Sequence, residues 1–338
     1  MSRHVHLVGS INLPSTEAVF TTVGECLGDH ITRIPDGEVG ERNNWSAWGA
    51  EQLHAHPAFV EGDPNPFGPV MLVLREPEKA AELEVAAPGY AAHAKSSYEI
   101  FRKLRDEGSV PKDARFLVAL PTPFAWLGYV DVPQRALVES VLEKATLDDV
   151  REICESIPSQ DLAIQWDVSN EFGILEKIEA SHWGDDLLGG LADRIARMID
   201  AIPNDVEVGL HLCYGSYEDK HFVEPKDADW MVKLLNTTLD RTSRKLAWVH
   251  MPVPIERDDA EYFAPLAELK RDRFDELFLG LVHIEDGLEG SARRIAAAKT
   301  VTDDFGVATE CGVARLDEAE MEPLLKLQAQ TADLDDLT

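Results

Sequence analysis

Positive charge is what this sequence most lacks: 32 lysines and arginines stand against 62 aspartates and glutamates in 338 residues, a formal net charge of −30. Such a surface repels phosphate backbones and anionic lipid headgroups, so neither nucleic acid nor membrane is expected as a partner. Apolar runs long enough to span a bilayer are missing as well. The opening stretch, with Val5, Leu7 and Val8, reads as a strand and has neither the basic start nor the apolar core of a secretory signal. A soluble, cytoplasmic protein is the expectation. Cysteine is scarce: Cys26, Cys154, Cys213 and Cys311 lie far apart, which argues against a disulfide framework and leaves thiols for metal binding or catalysis. Linkers, internal repeats and low-complexity tracts are also lacking, so one domain over residues 1–338 is expected. The sequence does not fix an oligomeric state, and a homo-oligomer is compatible with it.

What is present is ordinary globular composition, 44% hydrophobic and 28% charged, arranged as short apolar runs separated by longer amphipathic ones. The apolar runs are Val5 to Val8, Val70 to Leu74, Phe116 to Leu120, Leu162 to Asp167, Val206 to Cys213, Lys245 to His250, Leu277 to Val282 and Gly306 to Thr309. Between them lie helical patterns such as Ala92 to Asp106, Leu147 to Glu155, Leu187 to Ala201, Asp227 to Leu239 and Ser291 to Thr302. About eight strands alternating with helices predict an α/β fold, a single (β/α)8 TIM barrel. Residues 33–69, rich in Gly, Pro, Asn and Trp, are too long for a simple connector and predict an elaborated N-terminal loop region.

The sharpest local feature is Gly209 to Ser216, where an apolar strand ends in His211-Leu212-Cys213. Side chains two apart on a strand point the same way, so an imidazole and a thiol share one side. Cys311, in Glu310-Cys311-Gly312, falls at the end of the last strand candidate, and strand C-termini converge on the mouth of a parallel barrel. His, Cys and Cys suit zinc, and three protein ligands with an open position is the catalytic pattern. For a fourth ligand, His250 ends another strand and is the preferred candidate, with Glu256 or solvent as alternatives.

Three further clusters end strands. In Gln165-Trp166-Asp167-Val168-Ser169-Asn170-Glu171, Asp167 and Glu171 could bind a substrate amine, Asp167 could also act as acid or base, and helix capping is the competing reading. In Arg33 to Trp45, a turn at Pro35-Asp36-Gly37 accounts for part of the pattern, while Arg33, Asp36, Glu38, Arg42 and Trp45 form a candidate substrate-binding set. His283, before Ile284-Glu285-Asp286, is a candidate general base, and His221 lies in the loop after the Cys213 strand.

Taken together and in this order, the motifs resemble the C-terminal barrel of cobalamin-independent methionine synthase, within the uroporphyrinogen decarboxylase/methionine synthase-like superfamily. Gly9-Ser10 looks like that family's first strand turn, Gln165-Trp166-Asp167 is similar to its Gln-x-Asp strand, His211-Leu212-Cys213 matches its His-x-Cys, and Glu310-Cys311-Gly312 with Arg315 resembles its Asp-Cys-Gly with a downstream Arg. The resemblance runs from near Leu7 to near Leu325. It implies zinc on His211, Cys213 and Cys311, and an amino-acid substrate whose amine is held at Asp167. The family's remaining ligand is a glutamate, and His250 stands at that place. Val168-Ser169 replaces the family's Glu-Pro, and the synthase's N-terminal barrel has no counterpart, so a folate donor is not expected.

The expected function is therefore a zinc-dependent transferase that activates a small-molecule thiol, or an amino-acid-like substrate bearing one, for methyl or alkyl transfer. A thioether lyase or an epoxide-opening thiol transferase could run through the same site. The alternative from another class is a metal-free lyase or decarboxylase on a related barrel, worked by Asp167, Arg33 and Arg42.

Overall fold

The computed structural model describes residues 3–64, 70–215 and 220–334, and within 41–50 only the side chains of Arg42, Asn43 and Trp48. Its strands are β1 (Val5–His6), β2 (Arg33–Pro35), β3 (Phe59–Glu61), β4 (Leu72–Leu74), β5 (Arg115–Pro121), β6 (Leu162–Val168), β7 (Glu207–Leu212), β8 (Leu246–Pro252), β9 (Phe274–Gly280) and β10 (Gly306–Ala308). Eight of them pair in parallel in the order β1-β10-β9-β8-β7-β6-β5-β2. The seam between β1 and β2 is bridged at Val5–Ile31 and Ser10–Gly37. This is a nearly closed TIM barrel.

Around it lie α1 (Thr16–Leu27), α2 (Trp45–Ala55), α3 (Tyr90–Asp106), α4 (Phe124–Leu127), α5 (Val132–Ser156), α6 (Asn170–Leu175), α7 (Leu187–Asp200), α8 (Asp229–Leu239), α9 (Ala260–Phe263), α10 (Gly287–Ala298) and α11 (Glu318–Ala332). Every residue of β6 is buried, because helices cover its outer face and the barrel interior its inner one. One strand expectation needs correction. The apolar run Val70 to Leu74 is not a barrel strand: β4 forms an antiparallel hairpin with β3. Its place in the barrel goes to β2, which pairs with β5 from Arg33–Arg115 to Pro35–Leu117.

The barrel interior is layered. At the N-terminal end Arg33 reaches across to Glu207 on β7 and Glu276 on β9, both at 2.7 Å, and its guanidinium lies over the Trp248 ring. Above it Leu117, Ala163, Trp248 and Phe278 pack as a separate inner cluster. Gly209 makes room for that layer, since a Cβ there would lie 2.1 Å from the Trp248 indole. Next comes a polar layer, in which His6 Nε2 meets Gln165 Oε1 at 2.8 Å. Gln165 then donates to Asp167 Oδ1 at 2.9 Å, which leads to the C-terminal mouth.

Candidate active site

Strand alternation and register bring the mouth together. His211 is paired with Asp167 across β6 and β7, and with His250 across β7 and β8. Cys213 follows β7 directly, and Cys311 lies three residues past the end of β10. His211, Cys213 and Cys311 have donor atoms within 4.8 Å of one another, the one such group of His, Cys, Asp or Glu among the described residues. The two sulfurs are 3.6 Å apart and Cys311 Sγ lies 3.7 Å from His211 Nε2. Tetrahedral zinc with bonds of about 2.3 Å to sulfur and about 2.0–2.1 Å to nitrogen requires separations of about 3.8 and about 3.6 Å, so the donors are spaced for the ion. The Cys213 thiol is pushed well above its usual range, first by its hydrogen bond with Cys311 and then by burial. Two adjacent thiolates need a cation beside them, and Gly215 N–H on Cys213 Sγ at 3.3 Å supplies only a dipole.

His250 is beside this group but is not aimed at it. Its Nε2 is 3.0 Å from the Thr309 carbonyl oxygen and its Nδ1 is 2.7 Å from His211 Nδ1, so both ring nitrogens already have partners. His250, the expected fourth ligand, stands outside the group of three donors. Glu256 is exposed on the loop after β8 and belongs to no such donor group.

On the β2 side of the mouth, the turn after β2 carries Gly37 at φ +80° and Glu38 at φ +50°. Left-handed backbone at a non-glycine residue costs on the order of 1–3 kcal/mol and is characteristic of functional turns. Asp36 stabilises it: Oδ1 accepts from Glu38 N–H at 2.9 Å, Oδ2 accepts from Ser97 at 2.6 Å, and Arg42 pairs with Oδ2 at 2.8 Å. Glu38 is buried, and its Oε2 has no hydrogen-bond partner among the described residues. Burial first, then the charge of Asp36, raises its carboxyl to about 8. Asp167 is also raised well above the usual carboxylate range, by burial and then by Glu38. Two buried acids, near enough for the charge of Glu38 to raise Asp167, therefore stand at the mouth without full neutralisation.

Other expected residues fall elsewhere. Arg33, expected to bind substrate, opens β2 and is bound at the opposite end of the barrel, so its placement is corrected; the decarboxylase reading loses one of its residues. Glu171 has both oxygens occupied, one by the Thr122 hydroxyl at 2.6 Å and the other by Ser169 N–H at 3.0 Å. It braces the loop after β6, and burial raises it to about 7. Asp167 does not cap α6, whose N-cap is Ser169. The Trp45 side chain lies outside the described residues.

An open cleft of about 570 Å³ runs from Cys311 past His221, Glu256, His283 and Glu310. His283 Nε2 donates to the Val253 carbonyl at 2.9 Å, and burial followed by the charge of Arg294 lowers its pKa to about 4, leaving a neutral ring whose Nδ1 is 4.0 Å from Glu310. Glu310, also 3.3 Å from His221 Nε2, was not singled out by the sequence reading. Nor were Thr309 and Gln165, although Thr309 stands two residues before a cysteine at a strand end, where side chains share a side.

No known family profile matches the sequence, and no curated protein matches it. Among solved structures the chain is similar to a candidate vitamin-B12-independent methionine synthase from Listeria monocytogenes, at TM-score 0.61 and 14% identity over 98% of this chain and 96% of that one. It is similar also to a B12-independent methionine synthase from Shewanella sp. W3-18-1 in complex with selenomethionine, at 0.62 and 14% over 100% and 98%. A third is a methyltransferase from Methanosarcina mazei, at 0.55 and 12% over 99% and 94%. At these identities the likeness establishes the fold alone, a TIM barrel. No helix among the described residues is long and apolar enough to cross a membrane.

Proposed function

We propose that the chain is a zinc-dependent enzyme that makes a substrate thiol nucleophilic and transfers a methyl or other alkyl group to it. The observation that carries this reading is the spacing of His211 Nε2, Cys213 Sγ and Cys311 Sγ at the catalytic end of the barrel. Zinc held there would supply Lewis acidity that keeps a thiol as thiolate at neutral pH. The neighbours described as methionine synthases and as a methyltransferase favour methyl as the group transferred.

The chain's own residues define the rest of the chemistry. Glu38 and Asp167 form a buried acidic pair suited to the ammonium of an amino-acid-like thiol, and a bound ammonium would let both carboxyls ionise. Asp36 and Arg42 hold the Glu38 turn in its strained conformation. The cleft beyond Cys311 gives the alkyl donor a path, with the neutral His283 ring on its wall for proton transfer. In reverse, the same residues would cleave a thioether.

The test is metal content and thiol response. Wild-type protein is expected to hold about one zinc per chain, and its cobalt-substituted form to change spectrum with homocysteine. Glu38→Gln should weaken that response to homocysteine while sparing the response to a thiol without an amine. Sub-stoichiometric zinc that stays the same in Cys213→Ser and Cys311→Ser would sink the proposal.

A further inference from the structure

His250 stands where the resemblance places a carboxylate ligand, yet its hydrogen bonds determine a different role. The Thr309 carbonyl can only accept, so His250 Nε2, 3.0 Å away, carries a hydrogen. A neutral ring then has its lone pair on Nδ1, and the hydrogen in the 2.7 Å contact with His211 belongs to His211 Nδ1. His211 is left with its lone pair on Nε2, the nitrogen that faces Cys311 Sγ.

Gly280 is an independent sign that this path is built. A Cβ there would lie 2.7 Å from the Thr309 carbonyl oxygen and 2.9 Å from His250 Nε2, so the bond runs through a gap only glycine leaves open. Thr309 also ties in the opposite ligand, its hydroxyl donating to the Cys311 carbonyl at 2.8 Å. One residue on the loop after β10 thus anchors the histidine ligand, through His250, and the cysteine ligand directly.

We infer that His250 is a positioning residue, which fixes the tautomer and ring plane of His211 through the Thr309 carbonyl and is itself no ligand of the metal. The inference rests on the zinc reading above. Its consequence is a centre with three protein donors, one imidazole and two thiolates, whose charges cancel those of Zn²⁺. With zinc bound by these residues, any further coordination would fall to solvent or substrate rather than to His250.

Three variants test this. In His250→Gln the side-chain amide can still donate to Thr309 and accept from His211, in His250→Leu it can do neither, and Gly280→Ala severs the bond while keeping both histidines. Chelator competition is expected to show zinc bound about 10–100-fold more weakly in His250→Leu and Gly280→Ala and near wild-type affinity in His250→Gln. Zinc K-edge absorption should count two sulfurs and one imidazole in wild type and His250→Gln alike. Two imidazoles in wild type falling to one in His250→Gln would overturn the inference, as would undiminished affinity in a folded His250→Leu. A wild type that takes up no zinc would bring down the metal reading and this inference together; zinc uptake with the outcomes just named would bring down the inference alone.

Discussion

The two ends of this barrel treat ionisable groups in opposite ways. At the N-terminal end Arg33 spans Glu207 and Glu276, Arg115 adds a contact to Glu207 at 2.9 Å, and His4 lies 2.7 Å from Glu276. Burial alone would raise Glu276, but His4 and Arg33 outweigh it and bring the carboxyl down to about 2. At the C-terminal end Glu38 rises to about 8 and Glu310 to about 7, both chiefly by burial. Charges at one end are matched and serve stability. Those at the other are left short of partners, which costs stability and leaves room for a cation or an ammonium to complete them.

The largest expected effect is on metal. Replacing Cys213 or Cys311 by serine removes a thiolate from a three-donor set, and bound zinc should fall from about one per chain to near none, read by elemental analysis after dialysis. No substitution at the Arg33 end should change that content.

Next come two isosteric changes that should have opposite signs. Glu276→Gln removes a carboxylate whose folded pKa lies below its unfolded one, so wild-type stability from this group is present above about 4.5 and lost as pH falls through about 2. At pH 7 the variant should lose about 2 kcal/mol in urea unfolding, less than for a fully buried pair because the side chain is 27% exposed. Glu38→Gln does the reverse. Its folded pKa is raised, so the metal-free wild type loses stability as pH rises from about 4.5 to about 8, and the variant should be more stable at pH 8 by on the order of 1 kcal/mol or more. The smallest effect is the slope that remains in Glu38→Gln over that pH range, which Asp167 supplies; Asp167→Asn added to it should flatten the profile further.

The C-terminal mouth was legible in the sequence because alternation along a strand is simple. His211 and Cys213 had to share a side, and Cys311 had to meet them if the strands closed into a barrel. The same rule put His250 beside His211, where it is. What alternation does not carry is the use of the second ring nitrogen, which depends on a carbonyl 59 residues away, that of Thr309. Arg33 and Asp36 look like one cluster in sequence, yet the three residues of β2 separate them by about 10 Å at about 3.3 Å per residue, enough to put them towards opposite ends of the barrel. Strand β2 itself is short and ends in a proline, so it gives little signal, whereas the apolar Val70 to Leu74 run gives a good one and forms a hairpin instead. Local pattern marks a strand; its partner is set by tertiary contacts.

The position of a bound zinc ion is the most direct measurement. In crystals of the zinc-loaded protein, anomalous scattering at the zinc edge should place a single peak between His211 Nε2, Cys213 Sγ and Cys311 Sγ, with His250 Nε2 still on the Thr309 carbonyl. A peak bonded to His250, a peak at the Arg33 end, or no peak at the mouth would contradict it.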